Sequence, residues 1–299
     1  MRGEEPGIGN LVHSDLDADR LDYLPRTAIH AGLPYGRIDL DYLVSQISID
    51  RDDRLCFSPK ALNAVDHCLL GRYFDRMTIA FHKTVVGFEL LLEQVLQDLF
   101  ELNSVLKLTK ADVRRMLQKG EWAAFDDDSI VAMIRKHLTT SAKPSVKARA
   151  LAVLHREPLK LLAQLEYLGD RNDKDPFDVQ VQIVERNIES WRKESASPFW
   201  TYWVKDGFTL TSLASSTPVS VARSITEQEL EQSARIRRRN SQLSDPVTEV
   251  KQSLMSALGE KGYYALRVYA LVGRPMINQA KVRQMLKRDL PGNRWVVTV

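Results

Sequence analysis

A run of acidic residues between positions 14 and 26 is the segment of this sequence with the clearest chemical potential. Four aspartates fall within eight residues, in a stretch that otherwise favours a helix. On a helix, Asp15, Asp19 and Asp22 would share one face, because they are spaced by four and three residues. Like charges at these spacings repel each other. Two partners could offset the repulsion: Arg26, four residues after Asp22, and a bound cation beside Asp19.

The alternative interpretation of this segment is a plain helix N-terminus. Ser14 is a suitable cap, and acidic residues near a helix N-terminus interact favourably with the helix dipole. Two features favour a site instead. The acidic residues continue beyond the first turn, and the helix leads into the breaker-rich loop 32–36, which suits the wall of a pocket.

The composition limits the class of protein. With 299 residues, 44% of them hydrophobic, the chain can bury one large core or two smaller ones. Its formal net charge of +3 is too small to indicate nucleic-acid binding. Cys56 and Cys68 form no CxxC pair, which favours a reducing compartment. The sequence shows neither a signal peptide nor an apolar run of about 18 residues, so we expect a cytoplasmic protein without a membrane span.

The hydrophobic pattern predicts a mainly α body over residues 1–195 and a small α+β region over residues 196–299. In the first region we expect a β-hairpin at 47–57 and helices at 15–30, 40–46, 60–100, 109–118, 127–138, 145–155, 158–168 and 179–193. In the second we expect strands at 199–204, 263–272 and 294–299, a helix at 279–288, and a mobile surface segment at 213–245. We interpret the basic run Arg235–Arg239 as part of that solvated segment, with contact to phosphates or acidic partners as the alternative.

One long motif in the N-terminal part matches a known family. It consists of Asp17-Ala18-Asp19-Arg20-Leu21-Asp22-Tyr23, then His30-Ala31-Gly32 and Pro34-Tyr35-Gly36. The motif resembles the signature of HD-domain phosphohydrolases of the dGTP triphosphohydrolase group, and it is similar to the vertebrate enzyme that joins a SAM domain to an HD domain. The resemblance covers residues 11–100 well and 100–195 loosely. It implies an HD-domain-like helical body, of which residues 1–195 would form the C-terminal half.

The resemblance also implies roles for individual residues. In the family, a divalent metal (Mn, Mg, Fe or Co) is held by a His, a His-Asp dipeptide and a distant Asp, and Asp19 matches the distant Asp. Arg20 takes the place of a basic residue that contacts the triphosphate. Tyr23 takes the place of an aromatic residue that packs beside the deoxyribose.

A second matching patch follows on the predicted long helix. There Arg72 matches a phosphate or sugar contact, while Arg76, His82 and Lys83 would line the active site or a neighbouring nucleotide or oligomer contact. The alternative for Arg76 and Lys83 is a solvated basic face of the helix. The alternative for His82 is a structural role.

The chain departs from the family pattern at the metal ligands. None of its six histidines is followed by Asp, and only His13 precedes Asp19, so three of the four expected ligands are missing. A lone carboxylate cannot fix a transition metal in a closed geometry. The chain begins shortly before Asp19, as though an N-terminal segment had been left off. Thr27 also replaces an Asp near the sugar and Pro25 interrupts the helix, which leaves the substrate open.

Two functions remain open at this stage. The first is a fragment of a metal-dependent deoxynucleoside triphosphate (dNTP) triphosphohydrolase, inactive alone, whose missing ligands come from an N-terminal HD segment, in a longer product or a separate polypeptide. For its partners we expect a homo-oligomer or this N-terminal HD segment. In that family, metal-activated water attacks the α-phosphorus and releases a nucleoside and triphosphate. The second is a non-catalytic protein without a metal, which binds a nucleotide or assembles with a partner through the retained helices. We expect neither to involve nucleic acid or a membrane.

Overall fold

The computed structural model describes residues 11–12, 14–102, 109–140, 143–170, 174–195, 197–204, 233–258, 261–271, 278–292 and 294–298. These residues form a mainly helical protein with small sheets, as the hydrophobic pattern predicts. Across them, no helix is both long enough and apolar enough to cross a membrane.

Ten α-helices and eight strands occur in the described residues. The helices are α1 Ala18–Ala31, α2 Leu40–Ser45, α3 Leu62–Asp75, α4 Lys83–Leu102, α5 Lys110–Lys119, α6 Asp127–Thr140, α7 Pro144–Leu154, α8 Lys174–Ser195, α9 Leu254–Leu258 and α10 Gln279–Asp289. The strands are β1 Ile47–Ile49, β2 Leu55–Phe57, β3 Lys160–Asp170, β4 Phe199–Val204, β5 Arg235–Arg237, β6 Ser244–Pro246, β7 Lys261–Ala270 and β8 Val296–Val297. Short 3₁₀ turns include Pro34–Gly36 and Val247–Glu249, and a π-helical turn spans Arg76–Ala80.

The chain divides into two compact units, each assembled from three segments. The first unit comprises Met1–His82, Leu165–Val181 and Trp203–Leu266. The second comprises Lys83–Gln164, Gln182–Tyr202 and Arg267–Val299. The expected boundary at residue 195 stays a prediction.

The first unit contains a four-stranded sheet with the order β1-β2-β5-β6. Strands β1 and β2 form the predicted antiparallel hairpin, and β5 adds to it in parallel, with Phe57 opposite Ile236. Asp50 closes the hairpin, because its carboxylate accepts hydrogen bonds from the backbone nitrogens of Asp52 and Arg54, both at 2.9 Å. The sheet packs with α1 and α3 around a core that includes Leu24.

Two helix predictions in the first unit need correction at their boundaries. Helix α1 begins at Ala18, because Asp17, and not Ser14, caps it by accepting a hydrogen bond from the backbone nitrogen of Arg20 at 2.8 Å. Asp15 therefore lies outside the helix and does not share a face with the later aspartates. The predicted long helix 60–100 is interrupted, since the backbone widens into the π-helical turn and restarts at α4.

The second unit contains helices α4, α7 and α10 and the part of α8 from Gln182 onward. Asp98 of α4 is buried and receives two hydrogen bonds of 2.8 Å from the guanidinium of Arg149 on α7. The indole of the fully buried Trp191 on α8 donates to Asp289 of α10 at 2.9 Å. Each pair satisfies a buried polar group and thereby fixes how two of these helices pack.

A second four-stranded sheet has the order β4-β7-β3-β8. The strands expected near 199–204 and 263–272 are confirmed, whereas the last strand covers only Val296–Val297. The helix predicted at 158–168 is wrong, because β3 occupies that stretch. Its run of buried apolar residues, including Leu161, Leu162 and Leu165, is what a strand buried on both faces requires, and periodicity alone cannot distinguish it from a buried helix.

The segment expected to be mobile at 213–245 is only partly described. Residues 213–232 lie outside the described residues. From residue 233 onward the chain is folded, and Arg235 is buried in β5. The interpretation of the whole basic run as a solvated loop is therefore wrong at its first three residues.

Candidate phosphate-binding site

The centre of the candidate site is an ion pair between the segment before α1 and the end of α3. Asp15 is 1% exposed and Arg72 is 3% exposed. One terminal nitrogen of Arg72 lies 3.1 Å from the Asp15 carboxylate and 3.2 Å from its backbone oxygen. Arg72 is thus held by both polar groups of one residue, while the two helices pack against each other.

The pair leaves a polar atom unused. Burial raises the pKa of Asp15 to about 6, although the nearby charge of Arg72 opposes the shift. The Asp15 carboxylate also interacts with the backbone of Ala234, whereas the second terminal nitrogen of Arg72 is buried and has no hydrogen-bond partner within the described residues. Buried polar groups in folded proteins are normally paired. The unpartnered nitrogen of Arg72 therefore marks a place where an oxygen of a ligand or of water would complete the hydrogen bonding.

Arg20 lies on the first turn of α1 beside this pair. Its guanidinium contacts the carboxylate of Asp17 and the backbone oxygen of Ser14. Both partners precede the helix, so Arg20 folds back over the helix N-terminus. About a quarter of its side chain stays exposed, and the guanidinium can therefore still meet an anion.

Arg76 completes the cluster from the π-helical turn that follows α3. Burial lowers the pKa of Arg76 to about 10, and the positive charges of Arg72 and Arg20 contribute in the same direction. Tyr23 and Asp15 oppose the shift, so all four residues lie close enough to Arg76 to act on its charge. One terminal nitrogen of Arg76 is buried without a partner in the described part of the chain. We call Arg20, Arg72 and Arg76 the arginine cluster.

The acidic neighbour of Arg76 does not neutralise it fully. Burial raises the pKa of Asp75, which favours the uncharged form of that carboxyl, and one of its oxygens has no partner within the described residues. The π-helical turn itself places Asp75 and Arg76 side by side in this partly buried position. Such turns frequently occur at functional sites.

The loop at Pro34–Gly36 packs tightly between α1 and α3. A Cβ on Gly36 would overlap that of Ala28 on α1, and a Cβ on Gly71 of α3 would lie 3.1 Å from the backbone oxygen of Tyr35. The hydroxyl of Tyr35 also bonds to Thr78 in the π-helical turn. The loop therefore connects the two helices and the turn that carry the arginine cluster.

The other predicted site residues are more exposed. Asp19 lies exposed on the first turn of α1. His82 and Lys83 are exposed too, His82 at the end of the first unit and Lys83 at the start of α4 in the second. The structure thus groups Arg20, Tyr23 and Arg72 with Arg76. The roles of Asp19, His82 and Lys83 stay predictions.

The donors for a metal are incomplete within this chain's described residues. No group of three or more His, Cys, Asp and Glu side chains among them is arranged to hold a metal ion. Asp19 offers one carboxylate, whereas a metal centre of the implied type needs several ligands. The residues present therefore do not fit a complete metal centre by themselves.

Sequence reasoning identified Arg72 but missed Asp15 as its partner. The two residues are 57 positions apart. The available signal was the density of aspartates around the start of α1, since four acids in eight residues exceed what one helix N-terminus needs. Asp75 was also missed, and no local pattern distinguishes it from a surface acid.

Comparison with known proteins places this geometry in context. No family model matches the chain. An 89-residue stretch is 29% identical to the uncharacterized protein YwfO of Bacillus subtilis, covering 30% of this chain and 20% of that protein. A 131-residue stretch is 26% identical to the uncharacterized protein MJ1154 of Methanocaldococcus jannaschii, covering 42% and 26%. The matched part thus spans about a fifth to a quarter of these relatives.

Two solved structures share most of the chain's architecture. A phosphohydrolase (BT4208) from Bacteroides thetaiotaomicron superimposes with a TM-score of 0.56 over 88% of this chain and 63% of its own, at 17% identity. The chain has a phosphohydrolase-like fold. A hypothetical protein from Aquifex aeolicus superimposes with a TM-score of 0.54 over 85% and 54%, also at 17% identity. At these identities the comparison establishes the fold alone, and the chemistry must be argued from the arginine cluster.

Proposed function

We propose that this chain provides the triphosphate-binding half of a metal-dependent phosphohydrolase site of the HD type, which acts on deoxynucleoside triphosphates. The supporting observation is the arginine cluster. Arg76 is partly buried near the guanidiniums of Arg20 and Arg72, and one of its own terminal nitrogens has no partner within the described residues. Like charges in such proximity raise each other's energy, and a polyanion would relieve that cost. The phosphohydrolase-like fold and the Asp17–Tyr23 motif agree with this proposal.

In the proposal, the arginine cluster binds the phosphates and Tyr23 contacts the sugar. Arg76 and Arg20 hold phosphate oxygens through charge-assisted hydrogen bonds, which need no cation. Arg72 contacts a phosphate oxygen through its second terminal nitrogen, because Asp15 holds the first and the second has no partner within the described residues. Tyr23, half-buried beside Arg76, packs against the deoxyribose.

The described residues of this chain supply only part of the ligands that the metal of this proposal needs. When bound, it would supply an activated water for attack on the α-phosphorus, with Asp19 as one of its ligands. The remaining ligands would come from an N-terminal HD segment supplied elsewhere, because no histidine of this chain is followed by Asp and a second copy could not supply the pair either. The alternative function, nucleotide binding without hydrolysis, uses the same arginine cluster and differs only in lacking those ligands.

Calorimetric titration with tripolyphosphate, dGTP and dATP in metal-free buffer tests the cluster. The wild-type chain should bind each in the range of roughly 0.1–1 mM, as a few partly exposed charge contacts can supply. Arg76→Ala should weaken binding about tenfold or more, because it removes a desolvated guanidinium. Arg26→Ala is the matched control, since Arg26 lies on the same helix as Arg20 but is exposed and paired with Asp22. Equal binding by the two variants would overturn the proposal.

A further inference from the structure

A second concentration of positive charge lies on the hairpin of β5 and β6. Arg235 holds this hairpin together, because its guanidinium donates to the hydroxyl and the backbone oxygen of Ser244 at 2.9 and 2.7 Å. After the buried Ile236, residues 237–239 are all arginines. They line a cavity of about 430 Å³. We call this cavity the hairpin pocket.

The hairpin pocket is separate from the arginine cluster. It is bounded by Leu62, the first residue of α3, whereas Arg72 lies ten residues further along the same helix. At 1.5 Å per residue these two positions are about 15 Å apart along the helix axis. A ligand of the hairpin pocket would therefore occupy different residues from a triphosphate bound at the arginine cluster.

The pocket combines an apolar wall with an excess of positive charge. Pro59, Leu62, Ile236 and Val250 supply the apolar part, and Ile236 is buried. The charged lining consists of four basic residues (Arg237, Arg238, Arg239 and Lys251) and two acidic residues (Asp245 and Glu249). A concave site of several hundred Å³ with an apolar wall and a few polar groups is the usual form of a small-molecule site.

One of these cations is already neutralised. The Nε of Arg238 lies 2.9 Å from both carboxylate oxygens of Asp245, and this pairing holds the pKa of Asp245 below its ordinary value. The remaining charges are Arg237, Arg239 and Lys251 against Glu249, a net of +2. The unpaired charge of the pocket therefore matches a dianion.

Arg237 supplies the strongest local indication of a ligand. Its terminal nitrogen donates to the backbone oxygen of Ile49 at 2.9 Å, while its Nε is buried and has no partner within the described residues. A buried donor without an acceptor is unfavourable in a folded protein. An oxygen of a bound anion would provide the missing acceptor.

We propose that the hairpin pocket binds a small phosphate monoester whose non-phosphate part contains an apolar group or ring. Such a ligand carries up to two negative charges and three acceptor oxygens, which suit guanidinium donors. Its organic part packs against Leu62 and Val250. This site is additional to the phosphohydrolase site and does not depend on it.

Calorimetry on the full chain with phenyl phosphate and inorganic phosphate tests the proposal. Phenyl phosphate should bind about fivefold or more tightly than inorganic phosphate, because only its ring reaches the apolar wall. Arg239→Ala combined with Lys251→Ala should weaken phenyl phosphate binding about tenfold. The control combines Lys110→Ala with Arg114→Ala, which removes the same charge from an exposed face of α5 and should change binding less than about twofold.

A gain-of-affinity variant excludes unfolding as the cause of any loss. Asp245→Asn releases Arg238 from an exposed ion pair and raises the net charge of the pocket, so phenyl phosphate should bind about three- to tenfold more tightly. No binding of phenyl phosphate by the wild type would overturn the proposal. So would equal losses in the two double variants, a loss of binding in Arg76→Ala, or binding of a single-stranded oligonucleotide in place of phenyl phosphate.

Discussion

Asp15 and Arg72 form a buried ion pair across 57 residues of sequence, with 3.1 Å between the guanidinium nitrogen and the carboxylate oxygen. The pair joins the segment before α1, the helix that carries Arg20, to the last turn of α3, which carries Arg72 and is followed by Arg76. Both side chains are at least 95% buried, so water could not solvate either charge if its partner were removed. The pair consequently fixes the position of Arg72, and removing either partner would leave the other charge buried and unpaired.

Breaking this pair from one side should destabilise the first unit. Asp15→Ala should lower the free energy of unfolding by about 3–5 kcal/mol, because it leaves the Arg72 charge buried and unpaired. Replacing both residues with apolar ones, Asp15→Leu with Arg72→Met, should bring stability back to within about 1 kcal/mol of the wild type. Urea unfolding followed by circular dichroism measures both. A double variant as unstable as Asp15→Ala would show that the pair is needed for more than charge compensation.

The stability of the protein should also depend on the protonation of Asp15. Its pKa is raised from 3.8 to about 6, so the folded state binds more protons than the unfolded state between those values. The contribution of Asp15 to stability is therefore greatest below pH 4 and decreases as pH rises through 6. Relative to Asp15→Asn, the free energy of unfolding of the wild type should fall by about 1–3 kcal/mol from pH 4 to pH 7. A relative stability that rises with pH over this range contradicts the assignment.

The sequence predicted correctly those elements whose structure depends on interactions within one segment, and it failed where the structure depends on distant segments. Helix α1, the hairpin at 47–57 and the strand at 261–270 depend on caps, turns and periodicity within one segment, and these were predicted. The prediction of a helix at 158–168 was wrong, because a continuous apolar run has no periodicity of its own and acquires strand structure from its neighbours in the sheet.

The candidate site shows the same division. Arg20, Tyr23, Arg72 and Arg76 were identified from a motif, but their arrangement depends on contacts between distant segments. The density of aspartates around Asp15 points to a site, but it does not indicate that Asp15 lies outside the helix and pairs with Arg72 of α3. Similarly, no Pro or Gly marks the π-helical turn at Arg76, although this turn places the guanidinium within the cluster.

The packing of the Pro34–Gly36 loop gives a prediction that is independent of charge. Gly36→Ala should lower the free energy of unfolding by about 2–3 kcal/mol, because the added Cβ overlaps Ala28 and lies 3.3 Å from the backbone oxygen of Leu24. Gly32→Ala is the control in the same loop, since its Cβ would meet no atom within 4 Å and only its positive φ of 67° is unfavourable. That variant should lose about 1 kcal/mol. Urea unfolding that ranks the two in the opposite order would contradict the packing.

The incomplete set of metal donors leads to a prediction about activity. The 299-residue chain alone should release no triphosphate from any of the four dNTPs in the presence of Mn²⁺, Mg²⁺, Co²⁺ or Fe²⁺. Product release measured by anion-exchange chromatography checks this. Turnover that Asp19→Ala abolishes would show that the chain assembles a working metal centre without further ligands.

The charge of Asp19 should oppose phosphate binding as long as no metal is present. Asp19 is exposed on the first turn of α1, directly before Arg20, so its carboxylate cancels part of the attraction that the arginine cluster exerts on an anion. Asp19→Asn removes this charge and keeps nearly the same shape. In metal-free buffer it should bind dGTP about two- to fivefold more tightly than the wild type, and the gain should shrink at high salt because exposed charges are screened.

Asp22→Asn is the matched control on the same helix, since Asp22 is also exposed but already pairs with Arg26. Calorimetry at two salt concentrations measures both variants. If Asp19→Asn weakens binding instead, then Asp19 contributes hydrogen bonds to the site, and its assignment as a metal ligand fails.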